Sequence, residues 1–123
     1  MTLIEAITRI DALKPNSYSQ LDKIRWLSDL DWSIKTAIIN THEGANNVAF
    51  RGYNESTPLD TELLVPPPHD VVYLRWLESR IDYANGEIDR YNNSTVAFNE
   101  AYSAYSNYYN REHMPLTHKF KVF

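Results

Sequence analysis

The chain has no cysteine among its 123 residues. A disulfide framework, a thiolate zinc site and a cysteine nucleophile are therefore excluded. Glycine is almost as scarce, standing only at positions 44, 52 and 86, so a glycine-rich phosphate loop is absent too. No apolar run approaches the roughly 20 residues that span a bilayer. The opening Met1-Thr2-Leu3-Ile4-Glu5 lacks the basic-then-apolar order of a secretory signal. The expectation is a protein made in a cytoplasm with no membrane partner, in which the Asn-x-Ser/Thr triplets at Asn54, Asn92 and Asn93 are chance matches. Basic charge is also in short supply. Twelve Lys and Arg stand against sixteen Asp and Glu, for a net charge of −4, whereas a dedicated nucleic-acid binder carries a basic stripe.

Catalytic and metal-binding patterns are equally thin. His42-Glu43, His69-Asp70, Glu112-His113 and His118 form neither His-Glu-x-x-His nor an i, i+4 histidine pair. Asp29 and Asp31 are two apart and do not share a helix face; Glu78 and Asp82 do, beside Arg75, as an ordinary solvated charged face. Nothing in the sequence sets a carboxyl of raised pKa beside a base, and serine-nucleophile motifs are missing. The expectation is a protein that is not an enzyme and carries no metal or cofactor.

What the chain does have is apolar and aromatic surface. The apolar fraction is 43 % and the aromatic fraction 13 %, with nine tyrosines. That is ordinary globular usage for one domain with a small core of its own. Thr2 and Glu5 form a capping box, after which Leu3, Ile4, Ile7 and Ile10 follow helical spacing until Pro15 stops the helix. Asn16 to Ser19 reads as a turn. Ser19 caps a second helix of about 20 residues with an apolar stripe Ile24, Leu27, Leu30, Ile34, Ile38, flanked by Trp26 and Trp32. The two helices read as an N-terminal hairpin.

Residues 44–58 change character. Gly44, Asn46, Asn47, Gly52, Asn54 and Ser56 are turn formers around Val48, Phe50 and Tyr53, which predicts a short hairpin or an irregular excursion. Residues 57–68 read as extended, with Pro66-Pro67-Pro68 favouring polyproline II geometry and Asp70 placed to cap the next helix. Val71, Leu74, Leu77, Ile81, Ala84, Ile88 and Tyr91 repeat at threes and fours, and Tyr73, Trp76 and Tyr83 make an aromatic stripe on another face. Gly86 and Asn92-Asn93-Ser94-Thr95 predict a kink or break within 86–95. Phe98, Ala101, Tyr102, Tyr105, Tyr108 and Tyr109 then resume helical spacing to about Glu112, and Pro115 ends it. The fold class expected is all-α: a single helical domain over residues 1–115, with an extended C-terminal arm over 116–123.

Tyrosine is enriched at protein interfaces because it buries a large ring and keeps a polar partner for its hydroxyl. The adjacent Tyr108 and Tyr109 cannot share one helix face, so at least one tyrosine face is expected at an interface. The arm carries Lys119, Phe120, Lys121 and Phe123, an alternation suited to docking on a partner's sheet edge or groove. Charge is divided accordingly. Residues 111–123 hold Arg111, Lys119 and Lys121 against Glu112, a local +2 that leaves −6 for the remainder.

One segment carries a resemblance. Leu63-Leu64-Val65-Pro66-Pro67-Pro68, then Tyr73 to Tyr83, Arg90-Tyr91-Asn92-Asn93, Phe98-Asn99-Glu100-Ala101-Tyr102 and Tyr108-Tyr109-Asn110-Arg111 together resemble the head–tail connector (adaptor) proteins of tailed phages. The likeness covers the C-terminal half well and the N-terminal half only in general shape. It implies a compact helical subunit, made in a bacterial host, that forms a ring below the portal in the virion neck, extends the DNA channel and provides the tail docking platform. The implied partners are copies of itself, the portal, and the tail or next neck protein. Packaged DNA would pass through without sequence-specific binding. The resemblance places Tyr73, Trp76 and Tyr83 against a neighbouring subunit, Phe50 and Tyr53 against the adjacent ring or tail, and the arm on the portal. On that reading Tyr53→Ala barely changes stability. The other class open to this sequence is a helical interaction or regulatory protein outside any virion.

Overall fold

The computed structural model describes residues 1–41 and 50–113. Over these residues the chain is a small all-α domain of four helices: α1 (Leu3–Leu13), α2 (Gln20–Ala37), α3 (Val71–Ala84) and α4 (Ile88–Glu112), with one 3-10 turn at Ile39–Thr41. The caps follow the side-chain chemistry. The Glu5 amide donates to the Thr2 hydroxyl at 3.2 Å, and that hydroxyl donates to the Glu5 carboxylate. Likewise the Asp22 amide donates to the Ser19 hydroxyl at 3.1 Å. Each satisfies an amide that the first turn of a helix leaves unpaired. Asp70 occupies the N-cap position of α3 but makes no capping hydrogen bond there. Its carboxylate instead lies 3.6 Å from the amino group of Met1.

The core is built from helical stripes. α1 buries Leu3, Ala6, Ile7 and Ile10, and the expected α2 stripe of Ile24, Leu27, Leu30, Ile34 and Ile38 is buried throughout. From α3 come Val72, Tyr73, Leu74, Leu77 and Ile81. Each buried Leu, Ile or Val among these contributes about 1.5–3 kcal/mol. The expected α3–α4 stripe is shifted at both ends: Val72, not Val71, faces the core, and Ile88 is 72 % exposed. At the Ile88 end the reason is the break at Asn85–Glu87, which starts α4 in a new direction.

That break falls at the foreseen glycine. Gly86 adopts a φ of +73°, and its amide donates to the Tyr83 carbonyl, closing α3. The Asn92–Thr95 cluster does not interrupt α4, which runs unbroken for 25 residues. The two helices fold back as an antiparallel pair. Tyr83 meets Tyr91 at 5.3 Å between ring centroids, Trp76 meets Phe98 at 5.0 Å, and His69 meets Tyr108 at 4.7 Å. α2 runs antiparallel to α3 in turn, because Tyr18 bonds Asn85 at one end and Asp31 bonds Tyr73 at the other. Lys14 and the buried Asp82 pair at 2.5 Å, pinning the end of α1 to α3. Lys23, also buried, reaches Asp11 at 2.6 Å and the Tyr18 carbonyl.

Residues 50–70 contain no strand. Their one β-type contact is an isolated antiparallel bridge between Thr2 and Glu62. The amides of Leu3 and Ile4 donate to the carbonyls of Thr61 and Leu59, each at 3.0 Å, so this segment serves the first turn of α1. The proline run is not a continuous polyproline II lead-in. Pro67–Pro68 is cis, and the His69 amide donates back to the Pro66 carbonyl, which makes a turn into α3. Residues 44–49 of the expected excursion and the whole arm 116–123 lie outside the described residues.

The interior is held at one polar point. Asp31 is fully buried. Its Oδ2 accepts from the Tyr53 hydroxyl at 2.5 Å and the Leu64 amide at 3.1 Å, and its Oδ1 accepts from the Tyr73 hydroxyl at 2.6 Å. The Tyr73 hydroxyl accepts in turn from the Val65 amide at 2.7 Å. Burial raises the Asp31 pKa above the ordinary carboxylate value, and the hydrogen bonds from Tyr53, Tyr73 and Leu64 offset only part of that rise. Burial first, and then the adjacent Asp31 charge, pushes both tyrosine hydroxyls well above the usual phenol range. The sequence reading held no carboxyl of raised pKa; the fold makes one.

Two predictions follow from this architecture. The native state binds the Asp31 proton more tightly than the unfolded chain, so this carboxyl's stabilisation is complete below its unfolded pKa and is lost as pH rises through the folded pKa. Asp31→Asn should cost about 1–3 kcal/mol near neutrality, and the wild type's advantage should widen as pH falls from about 7 toward 4. Urea titrations of both proteins across that range check the sign. The second concerns glycine. Gly86→Ala should cost about 1 kcal/mol, for its positive φ alone, since an added Cβ meets open space. Gly52, at φ +76°, has Ser28 and the Trp32 ring against the same position, so Gly52→Ala should cost clearly more in the same measurement.

Candidate interaction surface

The structure divides the sequence-derived candidates into interior and surface. Tyr53 and Tyr73 are inside, 8 % and 0 % exposed, with both hydroxyls donated to Asp31. Neither is free to meet a neighbour, which corrects their assignment to an interface. Trp76 is half-buried. Its indole N–H donates to the Trp26 carbonyl at 2.7 Å and its ring packs on Phe98, so α2 and α4 cover it. Phe50 is half-buried between Trp32 and Tyr53, edge-on to each. Tyr108 packs on His69, and Tyr109 on Tyr105 and His113. Both are half-buried against their own chain. Of the aromatic stripe only Tyr83 is open, at 64 % exposure. Lys119, Phe120, Lys121 and Phe123 lie outside the described residues.

Of the exposed large apolar side chains, six sit at the two ends of the bundle, and Val96, 57 % exposed, lies along the outer face of α4. Leu13, Tyr83 and Ile88 mark one end, where α1 finishes and α3 turns into α4. Trp32, Leu59 and Val71 mark the other, where α3 begins beside the segment that serves α1. The 14 residues of α3 set these ends roughly 21 Å apart. Sequence reasoning missed Leu13, Leu59 and Ile88 as surface residues. Ile88 fits the core periodicity, and only the change of direction at Gly86 puts it outside.

The Tyr83 end is the more structured of the two. The Arg80 guanidinium lies 4.4 Å from the Trp76 ring centroid, 5.3 Å from Tyr83 and 5.6 Å from Tyr91. A cation over aromatic faces is held by their quadrupoles, which fixes both tyrosine rings without covering them. The Tyr91 hydroxyl pKa is lowered by its hydrogen bonds to Thr95 and Arg80. Beside these rings is a hollow of about 380 Å³ lined by Asp82, Tyr83, Gly86, Glu87, Ile88, Tyr91 and Asn92. Its walls are mainly aromatic and aliphatic, and its two carboxylates are paired, Asp82 with Lys14 and Glu87 with Arg90.

The outer face of α4 is the second open surface. Only Ser94 and Tyr105 of its 25 residues are buried. Val96, Asn99, Glu100, Ser103, Ala104 and Asn107 line a shallow groove along it. Among the described residues no group of three or more His, Asp or Glu is placed to hold a metal ion, and no helix is long and apolar enough to cross a membrane. What this surface offers chemically is ring stacking, apolar burial and contact with cations. Comparison with family models, curated proteins and solved structures gives no match.

A substitution pair separates interior from surface. Tyr53→Ala should cost about 3–5 kcal/mol, as truncation of a buried aromatic does, while Tyr83→Ala should cost under about 1 kcal/mol. Equilibrium denaturation of the two variants measures both.

Proposed function

We propose that this protein is a structural subunit of a tailed-phage neck, a head–tail connector (adaptor) that assembles as a ring below the portal, extends the DNA channel and presents the platform on which the tail or the next neck ring docks. The observation that carries this reading is the pair of apolar ends. A closed ring of identical subunits uses a heterologous contact, in which each copy offers two different surfaces. Leu13, Tyr83 and Ile88 at one end and Trp32, Leu59 and Val71 at the other would supply two such surfaces. Singly exposed apolar residues are ordinary on a monomer; their grouping at opposite ends favours an assembly.

The remaining features suit the same role. The domain's interior is closed by its own side chains, so a partner is not needed to complete the fold. The outer face of α4 mixes amides and small side chains with one acid and one valine: Asn99, Ser103, Ala104 and Asn107, with Glu100 and Val96, along the groove. The charge of −4 repels the phosphates of DNA in transit and so discourages adhesion to a channel wall.

Immunogold electron microscopy of purified phage particles tests this reading. Label confined to the head–tail junction is the expected result. Particles without label, with the protein abundant in the soluble lysate, would refute it and favour an interaction partner outside the virion.

A further inference from the structure

Asn85 and Gly86 are the one Asn-Gly pair in the chain. Asparagine is among the thermolabile residues, and a following glycine makes it most so, because no side chain shields the next amide nitrogen. That nitrogen can attack the carbonyl carbon of the asparagine side chain. Both residues are exposed here, at the turn between α3 and α4. A Cβ added to Gly86 would meet no heavy atom within 4 Å, so water reaches the pair from that side.

The folded turn opposes the reaction at three points. The Gly86 amide donates to the Tyr83 carbonyl at 3.1 Å, which keeps the proton on the attacking nitrogen. Asn85 has φ −75° and ψ −12°, inside the helical region, and ring closure needs rotation about its Cα–C bond out of that region. Such a rotation also breaks the cap of α3, because the amides of Asn85, Gly86 and Glu87 donate to the carbonyls of Ile81, Tyr83 and Asp82. Third, the Tyr18 hydroxyl donates to Asn85 Oδ1 at 2.7 Å and ties the side chain to the residue before the α2 cap.

We propose that Asn85 is a spontaneous deamidation site, closed while the Tyr18 bond and the α3 cap are intact and reactive when the α3–α4 turn opens. In the reaction the Gly86 nitrogen gives its proton to water and bonds to Asn85 Cγ. The Cγ–Nδ2 bond breaks, and Nδ2 takes a proton from water and leaves as ammonia. Water then opens the succinimide at either carbonyl. Opening at the side-chain carbonyl leaves aspartate; opening at the main-chain carbonyl leaves isoaspartate, whose extra methylene lies in the main chain. Isoaspartate puts Gly86 and Glu87 out of register with their acceptors on α3. Either product adds a negative charge to the end that carries Tyr83 and Ile88. The site therefore records how often the turn has opened, and it alters that surface whatever partner the surface meets.

The test incubates the full-length protein in mildly alkaline buffer, native or in urea above its unfolding midpoint. Peptide mapping by mass spectrometry follows conversion at Asn85. Native conversion should be slower than conversion in urea by at least about tenfold, the suppression that an opening cost of roughly 1.4 kcal/mol gives. Tyr18→Phe keeps the ring that packs on Trp26 and removes the hydroxyl. It should raise the native rate at Asn85 severalfold and leave the rate in urea unchanged. Asn93, inside α4 and followed by Ser94, should keep its wild-type rate in the variant, because α4 itself is not loosened. Native and urea rates within about threefold of each other, no conversion at Asn85 in urea, a native Tyr18→Phe rate at or below wild type, or equal acceleration at Asn93 would each overturn the proposal.

Discussion

The carboxylate of Asp31 sits in the middle of α2, out of reach of water, and takes three hydrogen bonds from residues 53, 64 and 73. Burying a charge is costly unless its lone pairs are satisfied, and here two phenols and an amide satisfy them. The consequence extends past the carboxylate. Residues 50–70 have no regular secondary structure, so their backbone groups need partners of another kind. Asp31 takes the Leu64 amide, Tyr73 takes the Val65 amide, and Ser28 takes the Tyr53 amide at 2.9 Å. α2 and α3 thus hold an irregular segment between them. That segment in turn holds the first turn of α1 through Leu59 and Thr61. Losing the carboxylate would loosen the connection between all three helices, not one contact.

A core closed in this way decides what is left for partners. Because Tyr53 and Tyr73 are committed to Asp31, the aromatic surface available to another molecule shrinks to Tyr83, with Tyr91 and Ile88 beside it, and to Trp32 at the far end. α4 is packed on α3 along one face only and shows the rest of its circumference. What the domain leaves exposed and apolar is concentrated at its two ends, with Val96 on the outer face of α4 between them.

Much of this was legible in the chain. Ile24, Leu27, Leu30, Ile34 and Ile38 identify the buried face of α2 without ambiguity, and Thr2, Ser19 and Pro15 mark where helices start and stop. Gly86 marks the α3–α4 turn because it alone tolerates the left-handed conformation there. The polar hub was harder to read. Asp31 lies four residues after Leu27 and three before Ile34, which puts it on the apolar face, and that placement was the available signal. Its partners lie 22, 33 and 42 residues away, and no local pattern announces a tyrosine hydroxyl at such a distance. For the same reason Tyr73 and Tyr83 look alike in sequence, as members of one stripe. Only the packing of α2 against the first and not the second assigns one to the core and the other to the surface.

The account stands on the claim that the Asp31 cluster makes residues 50–70 part of the folded core. Native-state hydrogen exchange of the Leu64 and Val65 amides measures this directly. Their opening free energies should equal those of the central α2 and α3 amides, meaning exchange only through global unfolding. Exchange within about 1 kcal/mol of an unprotected loop amide would contradict it, and would leave Asp31 a local contact in a bundle held together by its apolar stripes alone.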